Sequence, residues 1–128
     1  MGAALKILLV DDTKTLTTLM RIYLMGWPME FADARDGDTG LRLARKLKPD
    51  LVITDIKMPV MDGFQLCQAI RSDRELARTP IILLMQLEDE ASREKGLEAG
   101  ATAFLKKPVS VENLRSAVAR VLNLGPAA

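Results

Sequence analysis

The sequence contains no histidine, one cysteine and one tryptophan among its 128 residues. The absence of histidine excludes imidazole general bases, Ser-His-Asp triads and most zinc sites. A single cysteine cannot form a disulfide within the chain, which agrees with a reducing cytoplasm. Any chemistry must therefore be carried out by carboxylates, lysines and hydroxyl groups.

Long apolar runs and an excess of charge of either sign are also missing. The longest apolar run, Ile81–Met85, is five residues, whereas a membrane span needs about 18 or more. The first residues lack a charged-then-apolar leader, so we expect no secretory signal and a cytoplasmic location. The net charge of +1 gives no electrostatic reason to expect binding to nucleic acid or to an anionic membrane.

Short apolar runs alternate with segments of helical spacing along the chain. Such runs predict strands buried on both faces, and they are Leu5–Val10, Leu51–Thr54, Ile81–Met85 and Thr102–Leu105. Charged residues interrupt the segment Met29–Ala34, which predicts an edge strand. Five helices are expected between and after the strands. Among them, Asp89–Ala99 is the least apolar, and the acidic residues at its start suit a helix N-terminus (Glu88, Asp89 and Glu90).

The alternation of strands and helices predicts one α/β domain over residues 1–128, with its core at about 5–122. A composition that is 48% hydrophobic and 27% charged is that of an ordinary globular protein. The β–α order implies a parallel sheet with helices on both faces and right-handed crossovers. Ligands of such sheets bind beyond the carboxyl ends of the strands.

Acidic and basic side chains occupy these strand ends. Asp11 and Asp12 follow the first strand, Asp55 follows the third, and Lys107 follows the fifth. Each has an ordinary structural explanation by itself: Asp12 could cap a helix, Asp55 could cap a turn, and Lys107 could be a solvated charge. Together, however, the acids repel one another and stay ionised only beside a cation.

The charges of this cluster identify the cation. Three carboxylates oppose one ammonium group, so a divalent ion would neutralise the cluster. Oxygen ligands without imidazole or thiolate favour a hard ion, and Mg²⁺ suits one or two carboxylates plus waters and a phosphate. A metal beside a carboxylate and a lysine suits phosphoryl transfer, in which a carboxylate can itself be the nucleophile.

Several motifs then resemble the receiver domains of two-component response regulators. The motifs extend through most of the chain, from about Leu5 to Leu122, and are highly specific in combination. They are Leu8-Leu9-Val10-Asp11-Asp12, the run from Asp55 to Gly63, Thr79-Pro80-Ile81-Ile82, the run from Gly96 to Ala101, and Phe104-Leu105-Lys106-Lys107-Pro108.

The resemblance implies a role for each site residue. Asp55 is expected to be the phosphoacceptor, and Lys107 to bind a phosphoryl oxygen. Asp12 is expected to bind Mg²⁺ directly, Asp11 mainly through a bound water, and Lys57 through its backbone carbonyl. Such a module would catalyse only its own phosphorylation and dephosphorylation, and is not otherwise an enzyme.

The resemblance also implies a fold and partners. The fold is a flavodoxin-like doubly wound (β-α)5 domain with strand order 2-1-3-4-5 and a cis bond before Pro108. The phosphoryl donor would be a histidine kinase, a phosphotransfer protein or a small acyl phosphate, in bacterial signalling. A downstream protein target would dock on the face from the fourth helix to the fifth strand.

One position departs from the family pattern. The fourth strand of a receiver normally ends in Thr or Ser, whose hydroxyl contacts the phosphoryl group, but Met85 stands there. A thioether has no proton to donate. Phe104 occupies the position of the switch aromatic. Because Met85 supplies no hydroxyl, phosphate is expected to couple to Phe104 in an atypical way.

Three other functions compete with this one for the same residues. A phosphorylation-independent interaction module of the same fold stays open because of Met85 and the following Gln86. A haloacid-dehalogenase-like phosphatase needs a second Asp where Lys57 stands, and a cap domain for which the chain is short. A flavodoxin-like flavin site needs a hydroxyl- and glycine-rich loop where Asp11 and Asp12 would repel phosphate.

Overall fold

The computed structural model describes residues 4–86 and 91–126. Within these residues five strands alternate with five helices. The strands are β1 (Leu5–Val10), β2 (Met29–Ala34), β3 (Leu51–Asp55), β4 (Ile81–Met85) and β5 (Ala103–Lys106). The helices are α1 (Lys14–Tyr23), α2 (Gly37–Leu47), α3 (Gly63–Ser72), α4 (Arg93–Ala99) and α5 (Val111–Leu122).

The strands form one parallel sheet in the order β2-β1-β3-β4-β5. This confirms the predicted fold class and strand order. Two strands, β3 and β5, differ from the prediction by one residue at their ends. Asp55 pairs with Leu84 as the last residue of β3, and β5 begins and ends one residue later because Lys106 continues the pairing with Met85.

Both faces of the sheet are covered, as continuous apolar strands predict. Leu8 and Val10 of β1 pack in a core shared with α2, α3 and α4. Ile7 and Leu9, which alternate with them, pack in a second core shared with α1 and α5. All four are at most 1% exposed. The sheet therefore serves as a rigid platform whose carboxyl edge carries the polar residues.

Capping hydrogen bonds from side chains fix the starts of α3 and α5. Asp62 caps α3 in a capping box with Gln65, and the Ser110 side chain accepts the backbone N–H of Asn113 at the start of α5. For α4 the structure gives Arg93–Ala99. The acidic residues 88–90, which were expected to begin this helix, lie outside the described residues.

The lone cysteine and tryptophan are packing elements. Cys67 is buried in the core, and its burial raises the pKa of the thiol to about 11. The indole Nε1 of Trp27 donates to the carbonyl of Gly125 at 3.0 Å, and the Arg115 guanidinium lies over the ring. In the described part of the chain, no helix is both long and apolar enough to cross a membrane.

Candidate functional site

Three acidic side chains meet at the carboxyl edge of the sheet. Asp11 follows β1, Asp12 comes next in the chain, and Asp55 ends β3, with β1 and β3 adjacent in the sheet. One carboxylate oxygen from each lies within 4.8 Å of the other two. Asp11 and Asp55 are buried while Asp12 is exposed. The cluster therefore has a protected floor and one face open to solvent.

Lys107 joins the two buried acids. Its Nζ atom lies 2.8 Å from Oδ2 of Asp55 and 3.5 Å from Oδ2 of Asp11. The side chain is 18% exposed, so Lys107 is no solvated surface charge. The Lys107–Pro108 peptide bond is cis, as expected. The four strand-end residues that the sequence singled out thus lie in one cluster.

Burial and three neighbours set the direction of the shift in the Asp55 pKa. Burial raises the pKa of this carboxyl above its usual range, and the charge on Asp11 adds to the increase. The Lys107 ammonium and the N–H of Ile56 oppose this increase. That N–H donates to Oδ1 of Asp55 at 2.8 Å, which leaves Oδ2 as the oxygen that meets Lys107.

Asp11 is held in a similar way by the residue that precedes α1. The backbone N–H and the hydroxyl of Thr13 donate to Oδ1 of Asp11 at 2.9 and 2.8 Å. Thr13 is the N-cap of α1, and no side chain caps this helix. Asp12 therefore does not cap α1, and the helix-cap explanation for this residue is wrong.

The loop between β3 and α3 closes tightly around Asp55. A Cβ atom on Gly63 would lie 2.3 Å from the carbonyl oxygen of Asp55, so only glycine fits where α3 begins. The N–H of Met61 donates to the carbonyl of Pro59 in a γ-turn centred on Val60, whose φ is +71°. Lys57 is an exposed residue at the start of this loop.

The donor set fits a magnesium ion on chemical grounds. The candidate ligands are carboxylate oxygens from three residues that can approach one point, and hard oxygen ligands suit Mg²⁺. Two of these acids are buried, and like charges at such spacing need a cation. Lys107 supplies one positive charge, which leaves a net negative site for a divalent ion.

Met85 and Phe104 pack on the face of the sheet that α3 and α4 cover. Met85 is the last residue of β4 and has no exposed surface. Phe104 packs against the same core and lies beneath α4, where a Cβ on Gly96 would come 2.6 Å from its Cε1 atom. The Arg93 guanidinium lies 5.0 Å from the Phe104 ring centroid.

The sequence alone does not predict three hydrogen-bond donors to the acids. These are the hydroxyl and the backbone N–H of Thr13 and the N–H of Ile56. A signal for Thr13 exists, because an Asp side chain commonly accepts the N–H two residues on, in an Asx-turn. For Ile56 no side-chain pattern marks the donor, since every residue except proline carries this N–H group.

The chain matches a known sequence family and curated relatives. The family described as "Response regulator receiver domain" matches residues 7–119. The response regulator PleD of Caulobacter vibrioides is 36% identical over 104 residues, which cover 81% of this chain and 23% of PleD. The chain spans about a quarter to about half the length of the curated relatives it matches.

Solved structures share the whole fold. The chemotaxis response regulator CheY4 of Vibrio cholerae superposes with a TM-score of 0.87 at 33% identity, covering 94% of this chain and 100% of that one. The receiver domain of the sensor histidine kinase PA1611 from Pseudomonas aeruginosa PAO1 superposes with a TM-score of 0.85 at 29% identity, covering 94% of this chain and 99% of that one. That structure has a magnesium ion coordinated in its active-site cleft.

Proposed function

Because this chain belongs to the family of response regulator receiver domains, we propose that it accepts a phosphoryl group on Asp55. The donor is a histidine kinase or a phosphotransfer protein, and a small acyl phosphate can replace either. The observation that carries the proposal is the convergence of three carboxylates and Lys107 at one edge of the sheet. The module works in the cytoplasm as a phosphorylated signal carrier and has no separate substrate.

The reaction joins a carboxylate oxygen of Asp55 to phosphorus. The bond from phosphorus to the donor breaks, and its electron pair stays with the donor's imidazole nitrogen or acyl oxygen. Burial of Asp55 among fixed partners lowers its solvation and orients it for attack. Lys107, already 2.8 Å from Oδ2 of Asp55, moves its contact to a phosphoryl oxygen as that group gains charge.

Magnesium would be held by the acids of the cluster. By the family resemblance, Asp12, which is exposed at the open face of the site, would bind the ion directly and Asp11 mainly through water, while Asp55 and the Lys57 carbonyl would complete the protein ligands. An ion held there would neutralise charge on the phosphoryl oxygens and the repulsion among the acids.

Incubation with acetyl phosphate and Mg²⁺, followed by intact-mass measurement, tests phosphorylation. The native chain is expected to gain one phosphoryl group, and neither Asp55→Asn nor native chain in excess EDTA is expected to gain any. Asp50→Asn is the matched control, because Asp50 is exposed and lies outside the cluster. Absence of uptake from acetyl phosphate and from a phosphorylated histidine protein would contradict the proposal.

Transmission of the phosphorylated state is atypical in this chain. Met85 gives the phosphoryl group no hydroxyl donor, and its side chain fills the core on the α3 and α4 face. Phe104 is already packed beneath Gly96. A lost hydrogen bond of about 1–3 kcal/mol lowers the population of the active state, so phosphate changes this face less than in receivers with a hydroxyl.

A second candidate function is a phosphorylation-independent interaction module, favoured specifically by Met85. In both cases the downstream protein docks on the face from α4 to β5, where Leu97 is 58% exposed. The two functions differ in one measurement. Target affinity that is equal for the native chain, its phosphorylated form and Asp55→Asn supports the interaction module, whereas affinity that depends on phosphate supports the phosphoacceptor.

A further inference from the structure

Helix α4 buries less apolar side chain than the other described helices. Of its seven residues, all of which the structure describes, only Gly96 and Ala99 are buried. Neither carries a side chain larger than a methyl group. Every other described helix buries at least one large apolar side chain, for example Met20 of α1, Leu41 of α2, Ile70 of α3 and Leu114 of α5. Apolar burial therefore attaches α4 to the sheet more weakly than it attaches those helices.

Two cations of α4 lie over aromatic rings of neighbouring elements. Nζ of Lys95 lies 4.8 Å from the ring centroid of Phe64 on α3, and Cζ of Arg93 lies 5.0 Å from the ring centroid of Phe104 on β5. Both distances are within the range of about 6 Å over which a ring attracts a cation. Each such contact is comparable in strength to the burial of one methylene group, so the two together are a large part of what attaches α4.

The chain that follows α4 is held in place by other contacts. Nε of Arg71 donates to the carbonyl of Gly100 at 3.0 Å, and the N–H of Thr102 donates to the carbonyl of Ile81 at 2.8 Å. These hydrogen bonds do not involve the side chains of α4. They fix the C-terminal end of the helix to the sheet independently of the two cations.

We propose that α4 is a detachable helix whose attachment to α3 and β5 depends on the charges of Arg93 and Lys95. A helix of seven residues is unstable in water without tertiary contacts, so its release also unwinds it and uncovers the rings of Phe64 and Phe104. The charges of two side chains, rather than a hydroxyl at position 85, then set how often the face from α4 to β5 is released. The proposal concerns the unphosphorylated chain and holds whether or not Asp55 accepts a phosphoryl group.

Hydrogen exchange of backbone amides, measured by NMR, tests the proposal. Lys95→Met removes the charge while keeping an unbranched side chain of similar helix propensity. We expect the protection of the amides of residues 97–99 to fall about twofold to fivefold, the equivalent of one cation–π contact. Lys95→Arg should keep the native protection. Lys46→Met, at an exposed position of α2, is the matched control and should leave these amides unchanged, and the amide of Thr102 serves as a reference for the sheet in every variant.

Double-mutant cycles identify the ring as the partner of each cation. In a Phe64→Leu background, Lys95→Met should no longer lower the protection of residues 97–99, whereas Arg93→Met should still lower it about twofold to fivefold. In a Phe104→Leu background, the effect of Arg93→Met should disappear and that of Lys95→Met should remain. Arg93→Lys, which keeps a cation, should retain most of the native protection.

Three results would overturn the proposal. Unchanged protection of residues 97–99 in either Lys95→Met or Arg93→Met would show that the charge does not attach α4. An equal fall for Lys95→Met with and without the Phe64 ring would show that the charge acts through another partner. An equal fall at the Thr102 amide would show destabilisation of the whole domain in place of a local release. None of these results bears on phosphorylation of Asp55, which the mass measurement tests separately.

Discussion

The side chain of Lys107 reaches across the end of β4 to meet Asp55, with 2.8 Å between Nζ and Oδ2. β4 lies between β3, which ends at Asp55, and β5, which precedes Lys107. The backbone N–H of Lys107 donates to the carbonyl of Met85 at 2.7 Å. Because this anchor is a backbone contact, Lys107 is held over the site whatever side chain occupies position 85. In the proposed function, capture of phosphate by Lys107 therefore depends on the backbone of Met85, whereas transmission depends on its side chain.

Replacement of Lys107 tests its proposed role in binding the phosphoryl group. In Lys107→Met we expect phosphorylation by acetyl phosphate to slow by about 100-fold, the usual cost of losing a donor to developing charge. The loss also removes the group that opposes the raised pKa of Asp55, so the remaining activity should need a higher pH. Lys106→Met is the matched control, because Lys106 is exposed. Equal rates for the native chain and Lys107→Met would contradict the role.

The stability of the metal-free domain should depend on the charge of Asp55. Burial raises the pKa of this carboxyl, so the folded chain keeps its proton at pH values where the unfolded chain has lost it. The unfolding free energy contributed by Asp55 is therefore highest at low pH and falls as the pH rises from the ordinary carboxyl range through the raised pKa.

Asp55→Asn removes this dependence. At pH 7 without metal we expect the variant to be more stable than the native chain, because the buried amide has no charge to desolvate. Urea unfolding from about pH 4 to 7 measures the effect. Added Mg²⁺ should stabilise the native chain and not the variant. A variant that is less stable than the native chain at pH 7 without metal would contradict the electrostatic account.

Met85 can be changed to test the atypical switch. Met85→Thr introduces the missing hydroxyl, and Met85→Val has a similar branched shape without it. Both variants should lose about 2–3 kcal/mol of stability, because a fully buried side chain is shortened. With Mg²⁺ and beryllofluoride, a phosphate mimic, amide shifts of α4 and Phe104 should grow only in Met85→Thr. Equally large shifts in the native chain would contradict the account.

The contact between Gly96 and Phe104 can be tested by a double-mutant cycle. Ala for Gly inside a helix ordinarily stabilises by about 1 kcal/mol, but here the new Cβ would lie 2.6 Å from Cε1 of Phe104. Gly96→Ala alone should therefore destabilise by about 1–3 kcal/mol. In a Phe104→Ala background the same substitution should stabilise. The same sign in both backgrounds, measured by urea unfolding, would show that Phe104 does not press on α4.

Val60 stores strain in the loop between β3 and α3. Its φ of +71° is costly for a β-branched residue, by about 1–3 kcal/mol, and its side chain is 83% exposed. Asn tolerates this region better, so Val60→Asn should raise the unfolding free energy by about 1 kcal/mol. Val60→Ala should gain less, because Ala lacks the short polar side chain with which Asn can hydrogen-bond the local backbone. A urea unfolding midpoint that is lower for Val60→Asn than for the native chain would contradict the claim that Val60 is strained.

Much of the site could be predicted because its residues follow strands whose ends a parallel sheet must align. Asp11, Asp55 and Lys107 were located by this rule alone. Contacts that depend on a choice between local partners could not be predicted. The Thr13 hydroxyl could cap α1 or bind Asp11, and only the folded geometry selects the second. The seating of Phe104 beneath Gly96 likewise depends on where α4 docks, which no periodicity specifies.

The most direct measurement locates the phosphoryl group on the chain. After treatment with acetyl phosphate and Mg²⁺, reduction by borohydride converts an aspartyl phosphate to homoserine, which peptide mass mapping then assigns to one position. We predict homoserine at Asp55 alone, with none when Mg²⁺ is withheld. Homoserine at Asp11 or Asp12 in place of Asp55, or equal labelling in EDTA, would contradict a magnesium-dependent phosphoacceptor at Asp55.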